Sequence, residues 1–253
     1  MVNARIIFPK ITDPFLNQAL EELLLISVSN REFDIILRFW TAEPSVIIGR
    51  NQSIKAEVNK RACQKYLIPV IRRITGGGAV YLDLGCVNFS FFLNNHCKYY
   101  SKNVSVLNKL LIQIIIDALK KLDLDCTYQL PNSIFINGKK VSGNAQIFRG
   151  NSVLHHGTLL VNSDLQRLVE VLNTNSNSRV KRYIFSKKTD IANLGFINTN
   201  ITIEEIIQNI VMQAEKAFQL KLSKINLTET ELNQAMTIMR EKYTDSNWLN
   251  RIP

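Results

Sequence analysis

The chain has 253 residues, 46% apolar and 21% charged, with ten glycines and six prolines, a balance that excludes a disordered or collagen-like chain and allows a sizeable core. Lysine and arginine outnumber aspartate and glutamate by 31 to 21, so the formal charge is +10 and an anionic partner is expected. No run reaches the ~18 apolar residues of a membrane span, residues 1–10 lack a secretory h-region, and four cysteines 23, 11 and 29 residues apart form no CxxC pair, which together point to a reduced cytoplasmic setting without a membrane or a structural zinc.

Asp13-Pro14 supplies an N-cap and a first-turn proline for an amphipathic helix with Leu16, Ala19, Leu20, Leu23, Leu24 and Ser27 on one side. Residues 34–40 and 45–48 are β-branched or aromatic and bounded by Pro44 and Gly49, which predicts two short buried strands. A helix over 56–65 leads into a strand over 67–73, then Gly76-Gly77-Gly78. Residues 79–81 and 87–93, around Asp83-Leu84-Gly85, read as strand, turn, strand. A surface helix over 104–122 carries Lys109, Gln113, Asp117, Lys120 and Lys121 on its polar side. Asn137-Gly138 is a type I′ hairpin signal joining 134–136 to a strand from Lys140 onward, and Gly150-Asn151 turns the chain into a third strand over 153–161. Residues 173–178 read as a polar loop. Two capping boxes, Thr202 with Glu205 and Thr228 with Glu231, open the last two helices. With no internal repeat and no long linker, one α/β domain with a helical C-terminal end is expected.

Two clusters could carry chemistry. The triple glycine follows Arg72-Arg73, and a backbone without Cβ atoms can approach a ligand closely with its amides pointing into one concavity. Neighbouring arginines on a strand face opposite sides, so at most one meets a ligand. A glycine turn flanked by surface arginines is the alternative. Neither a Walker loop nor GxGxxG is present. In the second cluster Lys140, at the mouth of the hairpin, is a solvated edge charge unless the small residues Ser142-Gly143-Asn144-Ala145 leave room for a pocket. His155 and His156 cannot share a strand face, so they do not chelate a metal together; one should pack inside while the other points outward. The positive charge is spread out, densest at Arg179, Lys181, Arg182, Lys187 and Lys188, without the arrays or aromatic platforms of a nucleic-acid binder.

Residues 72–85, Arg72-Arg73-Ile74-Thr75-Gly76-Gly77-Gly78-Ala79-Val80-Tyr81-Leu82-Asp83-Leu84-Gly85, with Asn88-Phe89-Ser90-Phe91 after them, closely resemble the signature block of the lipoate–protein ligase A family. Residues 44–52 resemble its N-terminal block, 138–146 its lysine block and 155–160 its histidine strand. Lys242-Tyr243 with Trp248 is similar to the end of its catalytic domain. The resemblance implies an α/β domain of the α+β type, a mixed, largely antiparallel central sheet flanked by helices, as in biotin and lipoate ligase catalytic domains. It spans 1–253 as one catalytic domain, and the small accessory domain of many single-chain ligases is expected to be absent.

The same resemblance implies that lipoate attacks the α-phosphate of ATP to give lipoyl-adenylate, from which a carrier lysine takes the lipoyl group. Lys140 would be the catalytic residue, holding carboxylate and α-phosphate. Arg73 and His156 would bind the nucleotide or acyl group, Gly76, Gly77, Gly78, Ala79, Val80 and Tyr81 would form the adenylate cradle, and Gly143 and Ala145 would open an acyl groove. Magnesium would arrive with ATP, held by phosphates more than by protein. Lipoyl domains of 2-oxoacid dehydrogenase E2 subunits and the glycine-cleavage H protein are the implied carriers, and a separate small accessory subunit is an expected partner; the apolar tail with Trp248, Leu249 and Ile252 is a surface it could cover. Departures are Leu82 for a usual histidine, Cys86 for asparagine, Asn132-Ser133 for Asn-Asp, and Ser186-Lys187-Lys188-Thr189-Asp190 for an arginine-rich segment. Two alternatives stay open: an ATP-independent octanoyl or lipoyl amidotransferase of the same superfamily using Cys126 as nucleophile, and a non-catalytic binding module.

Overall fold

The computed structural model describes residues 2–8, 11–173, 186 and 189–252. The polar stretch beyond residue 173 and the basic group Arg179, Lys181, Arg182, Lys187 and Lys188 therefore lie outside the described residues. In chain order the strands are β1 (Ala4–Ile7), β2 (Ile35–Trp40), β3 (Ser45–Ile48), β4 (Val70–Arg72), β5 (Val80–Leu82), β6 (Cys86–Asn94), β7 (Cys126–Gln129), β8 (Ser133–Ile136), β9 (Lys139–Arg149), β10 (Ser152–Leu160) and β11 (Ser223–Lys224). The helices are α1 (Pro14–Ser29), α2 (Ile54–Glu57), α3 (Lys60–Lys65), α4 (Val104–Lys120), α5 (Leu165–Val171), α6 (Ile203–Phe218), α7 (Glu229–Ile238) and α8 (Ser246–Leu249), with a π-helical turn over Met239–Tyr243.

Eight strands form one sheet in the order β11-β1-β2-β6-β10-β9-β8-β7, and β4-β3-β5 form a second. In the large sheet β1 runs parallel to β2 and β11 while the remaining pairs are antiparallel, the mixed, largely antiparallel arrangement expected. Both of its faces are covered, which is why β2 is buried at every residue of Ile-Ile-Leu-Arg-Phe-Trp. Ile35, Leu37 and Phe39 pack into the cluster that holds α4 and α6, whereas Ile36 and Trp40 pack into the one that holds α1.

Several local expectations change in the fold. Strands β5 and β6 do not pair with each other: β5 joins β3, β6 joins β2 and β10, and the turn between them carries the chain from one sheet to the other. The helix expected over 56–65 is split into α2 and α3, because Val58 turns extended to bridge Leu172 and Asn59 caps Ala62 N–H with its side chain. The strand expected over 67–73 shrinks to β4, since Leu67 adopts φ 54° and is 90% exposed. Helix α1 is buried nearly all round, including Asn17, Gln18, Glu21 and Glu22. The apolar tail, a surface that a partner could cover, folds back onto its own chain, as such tails more often do: Trp248 Nε1 donates to Arg72 O at 2.8 Å, and the Arg72 guanidinium donates to Leu249 O and Ile252 O. Glu22 secures the preceding turn through Lys242 and Tyr243.

His155 is fully buried on β10, with Nδ1 3.4 Å from Gln146 Oε1 and Nε2 without a partner. Burial, with His156 adding to it, pushes its pKa from 6.5 down to about 3. The neutral ring belongs to the folded state, so its stabilising share is complete above pH 6.5 and is lost as pH falls from 6.5 towards 3, by about 1.4 kcal/mol per unit. Thermal melts from pH 7 to pH 5 should drop more steeply for the wild type than for His155→Leu; parallel curves would remove His155 as the cause.

Candidate active site

A cavity of about 430 Å³ lies between the two sheets beneath the first turns of α1. Its walls include Arg73, Gly78, Ala79, Val80 and Leu82 from the second sheet, and Lys140, Gly143, Ala145, His156 and Thr158 from β9 and β10. Of the residues singled out in the sequence, Gly76, Gly77 and Tyr81 do not line it. Tyr81 is ladder-paired with Val46, and its ring is buried in a separate cluster.

The paired arginines are both buried, so the reading as surface charges is overturned. Alternation sends them to opposite tasks. Arg72 spends its donors on Gly49 O, Arg50 O and Gln52 O as well as on the tail. Arg73 braces the glycine loop: Nη2 donates to Gly76 O and Gly78 O, Nη1 to Ile47 O, and Nε to Thr75 Oγ1 at 2.9 Å. Burial lowers its pKa to about 10, so it stays cationic at neutral pH, and one Nη1 N–H remains for a ligand among the described residues.

Thr75 Oγ1 is also 2.8 Å from His156 Nε2, and His156 Nδ1 is 2.8 Å from Glu21 Oε2. An arginine Nε can only donate and an ionised carboxylate can only accept, so Thr75 Oγ1 accepts from Arg73 and the ring presents Nδ1–H to Glu21. Burial would raise the Glu21 carboxyl, but His156, Arg38 and Ser90 together hold it below the usual range. A hydrogen-bonded line thus runs from the buried Glu21–Arg38 pair to the glycine loop. His156 faces the cavity between the sheets, not the outside expected for one of the two histidines.

Lys140 is not an edge charge. Its strand neighbours are Phe135 on one side and Ile191 on the other, with backbone bonds to Asp190 O and from Ala192 N. Opposite Ile134 and Phe135, β9 carries one extra residue, a β-bulge that leaves Val141 in the core and brings Lys140 onto the same face as Gly143. A Cβ on Gly143 would lie 3.2 Å from both Cε and Nζ of Lys140. The ammonium is half-buried, has no hydrogen-bond or ionic partner among the described residues, and its pKa is lowered by burial. An unpaired cation in such a place is an anion site.

Sequence reasoning missed Gln18, Trp40, Asn88 and Ser186 as wall residues. The Ser186 hydroxyl accepts from Ala79 N–H at 2.8 Å and lies 3.2 Å from Gln52 Nε2; a lone serine over a hundred residues from the loop leaves no local signal. Cys126 lies outside the cavity wall. It is buried, 3.6 Å from Ile116 O, and burial pushes its thiol up to about 11.

The model of the lipoyl protein ligase A/B catalytic domain matches residues 13–215. The chain belongs to this family and is an enzyme of the lipoate–protein ligase type. Lipoate–protein ligase 1 of Staphylococcus aureus is 32% identical over 239 residues, covering 94% of this chain and 70% of the relative. A crystal structure of lipoate–protein ligase A bound with ATP matches with a TM-score of 0.84 and 25% identity, covering 98% of each chain. The bi-partite lipoate protein ligase of Thermoplasma acidophilum, studied with its E2 lipoyl domain, shares the fold at a TM-score of 0.84 and 24% identity, covering 100% of this chain and 98% of the other.

Proposed function

We propose that the chain activates lipoate with ATP to lipoyl-adenylate and transfers the lipoyl group to a lysine of a carrier domain. The observation that carries this reading is the Lys140 ammonium, without a partner among the described residues, facing a braced glycine loop across a cavity of acyl size. In the first step a lipoate carboxylate oxygen bonds to the α-phosphorus of ATP while the bond to pyrophosphate breaks; negative charge gathers where Lys140 and the remaining Arg73 N–H can meet it. In the second, the neutral amine of a carrier lysine attacks the acyl carbonyl, AMP leaves, and the surplus amine proton passes to solvent. Among the described residues no carboxylate lines the cavity or joins other ligands in a metal cluster, so magnesium would come with the phosphates and be held chiefly by them. The test is pyrophosphate release on adding lipoate and ATP, followed by mass spectrometry of an apo carrier.

The buried Cys126 weighs against a thioester route, since the thiolate is the nucleophile and burial opposes it. Cys126→Ser should leave ATP-dependent lipoylation within twofold of wild type. ATP-independent acylation from an acyl-carrier donor that disappears in this variant would replace the ligase reading with the amidotransferase one.

Acidic lipoyl domains are the carriers this reading favours, and the +10 charge would steer their encounter. Transfer from pre-formed lipoyl-adenylate should slow as salt rises from 50 to about 300 mM, where the Debye length falls below ~8 Å; a flat profile would leave the basic surface without this role. Adding a separate small accessory polypeptide to the activation assay tests whether the first step needs one.

A further inference from the structure

We infer that Gln18 selects the acyl tail, favouring a sulfur-bearing ring such as the lipoyl dithiolane over the plain alkyl end of octanoate; this rests on reading the cavity as an acyl-activation site. Gln18 stands in the second turn of α1, is 2% exposed, lines the cavity, and its side-chain amide has no hydrogen-bond partner among the described residues. Polar groups of α1 and of the β2 end of the wall are engaged elsewhere, whereas Asn144 Oδ1, unpartnered among the described residues, belongs to the β9 end. Asn17 serves Arg38, Ile11 O and Thr41 O. Trp40 Nε1 donates to Ser90 Oγ, Asn88 Nδ2 to Trp40 O, and Thr158 Oγ1 to Asn88 Oδ1.

Register fixes where this free amide sits relative to the reactive end. Trp40 pairs with Asn88, Asn88 with Thr158, and Thr158 with Gly143, a single row across β2, β6, β10 and β9. Three strand spacings make that row roughly 14 Å long. Lys140 stands at its β9 end against Gly143, and Trp40 marks its β2 end, over which the Asn17–Thr41 bond holds the first turns of α1. A carboxylate placed at Lys140 therefore sends an extended eight-carbon chain towards Gln18.

A primary amide sealed under an alkyl tail loses water and gains nothing, an unfavourable exchange. A ring sulfur is polarisable and accepts an N–H weakly, so the lipoyl end restores part of what is lost. Discrimination comes from leaving the site's own polar group unpaired with the wrong acid.

Calorimetric titration of the full chain with lipoate and with octanoate, each with a non-hydrolysable ATP analogue, gives the ratio of the two affinities independently of turnover. Wild type should prefer lipoate, and Gln18→Leu, nearly equal in volume, should shrink that preference about tenfold, equivalent to about 1.4 kcal/mol, mainly by tightening octanoate. Circular dichroism melts establish that the variant folds; if it does not, Gln18→Met keeps the length, lacks the donor and should give the same shrinkage. A folded variant whose ratio stays within twofold of wild type, or that loses both acids equally, overturns the role of Gln18 while leaving the activation reading intact, as does a wild type that prefers octanoate. Wild-type protein that binds neither acid overturns the activation reading and this inference with it.

Discussion

Lys140→Ala should lower adenylate formation by 10² to 10³, about 3–4 kcal/mol of transition-state stabilisation, while leaving the fold intact. Its backbone is paired on both sides, so the strand does not depend on the side chain. Removing a half-buried cation with no ionic partner among the described residues relieves a desolvation cost, and the melting temperature should hold or rise. Pyrophosphate release and thermal melts measured on one preparation separate the two effects. Wild-type release from the variant would take Lys140 out of the chemistry. Lys139, exposed and next to it, should tolerate the same change. Because burial lowers the Lys140 pKa, the cation is lost at a lower pH than an ordinary lysine would lose it. Activation should accordingly fade on the alkaline side before pH 10.5 is reached.

Gly49→Ala should be almost as damaging although residue 49 is not on the cavity wall. A Cβ there would lie 2.2 Å from Gly77 O, a backbone atom, and 3.3 Å from Gly76 C. Gly77 cannot yield cheaply: it sits at φ 86°, and Arg73 grips the carbonyls on both sides of it. The loop must move as a piece, and displacements near 1 Å at a preorganised site cost roughly 10² in rate, with about 1–3 kcal/mol of stability lost to overpacking. Steady-state assays should show kcat/KM for ATP falling at least tenfold. Unchanged kinetics in a folded variant would show that the loop is not the cradle.

What the sequence made legible was local chemistry. The Asp13 cap, both capping boxes and the Asn137-Gly138 turn form as expected, the last with φ of 50° and 75°, because each depends on residues within four positions. The division into two sheets was not legible, since short apolar strands carry no mark of their partner. Strands β1, β7 and β11 and helix α5 left too little periodicity in runs of two to seven residues. Polar side chains on α1 read as a solvent face, yet Glu21 meets Arg38 and His156 inside, a pairing visible only once strands distant in sequence come together. The motif residues were legible through family resemblance, whereas the wall formed by Gln18, Trp40, Asn88 and Ser186 depends on tertiary placement.

The bulge in β9 makes the site sensitive to chain length as well as to residue type. Val141 can exchange for a similar side chain with the cost of any core change. Deleting it would remove the extra residue and leave Lys140 two positions before Gly143, still on the cavity face by regular alternation, so the loss would be a core side chain and not the placing of the ammonium. A one-residue insertion between Lys140 and Gly143 would enlarge the bulge or slide Lys140 out of its pairing with Phe135. Length variants should therefore be asymmetric over this stretch: deletion of residue 141 lowers the melting temperature more than it lowers activity, whereas single-codon insertions there abolish activity even where every motif letter survives.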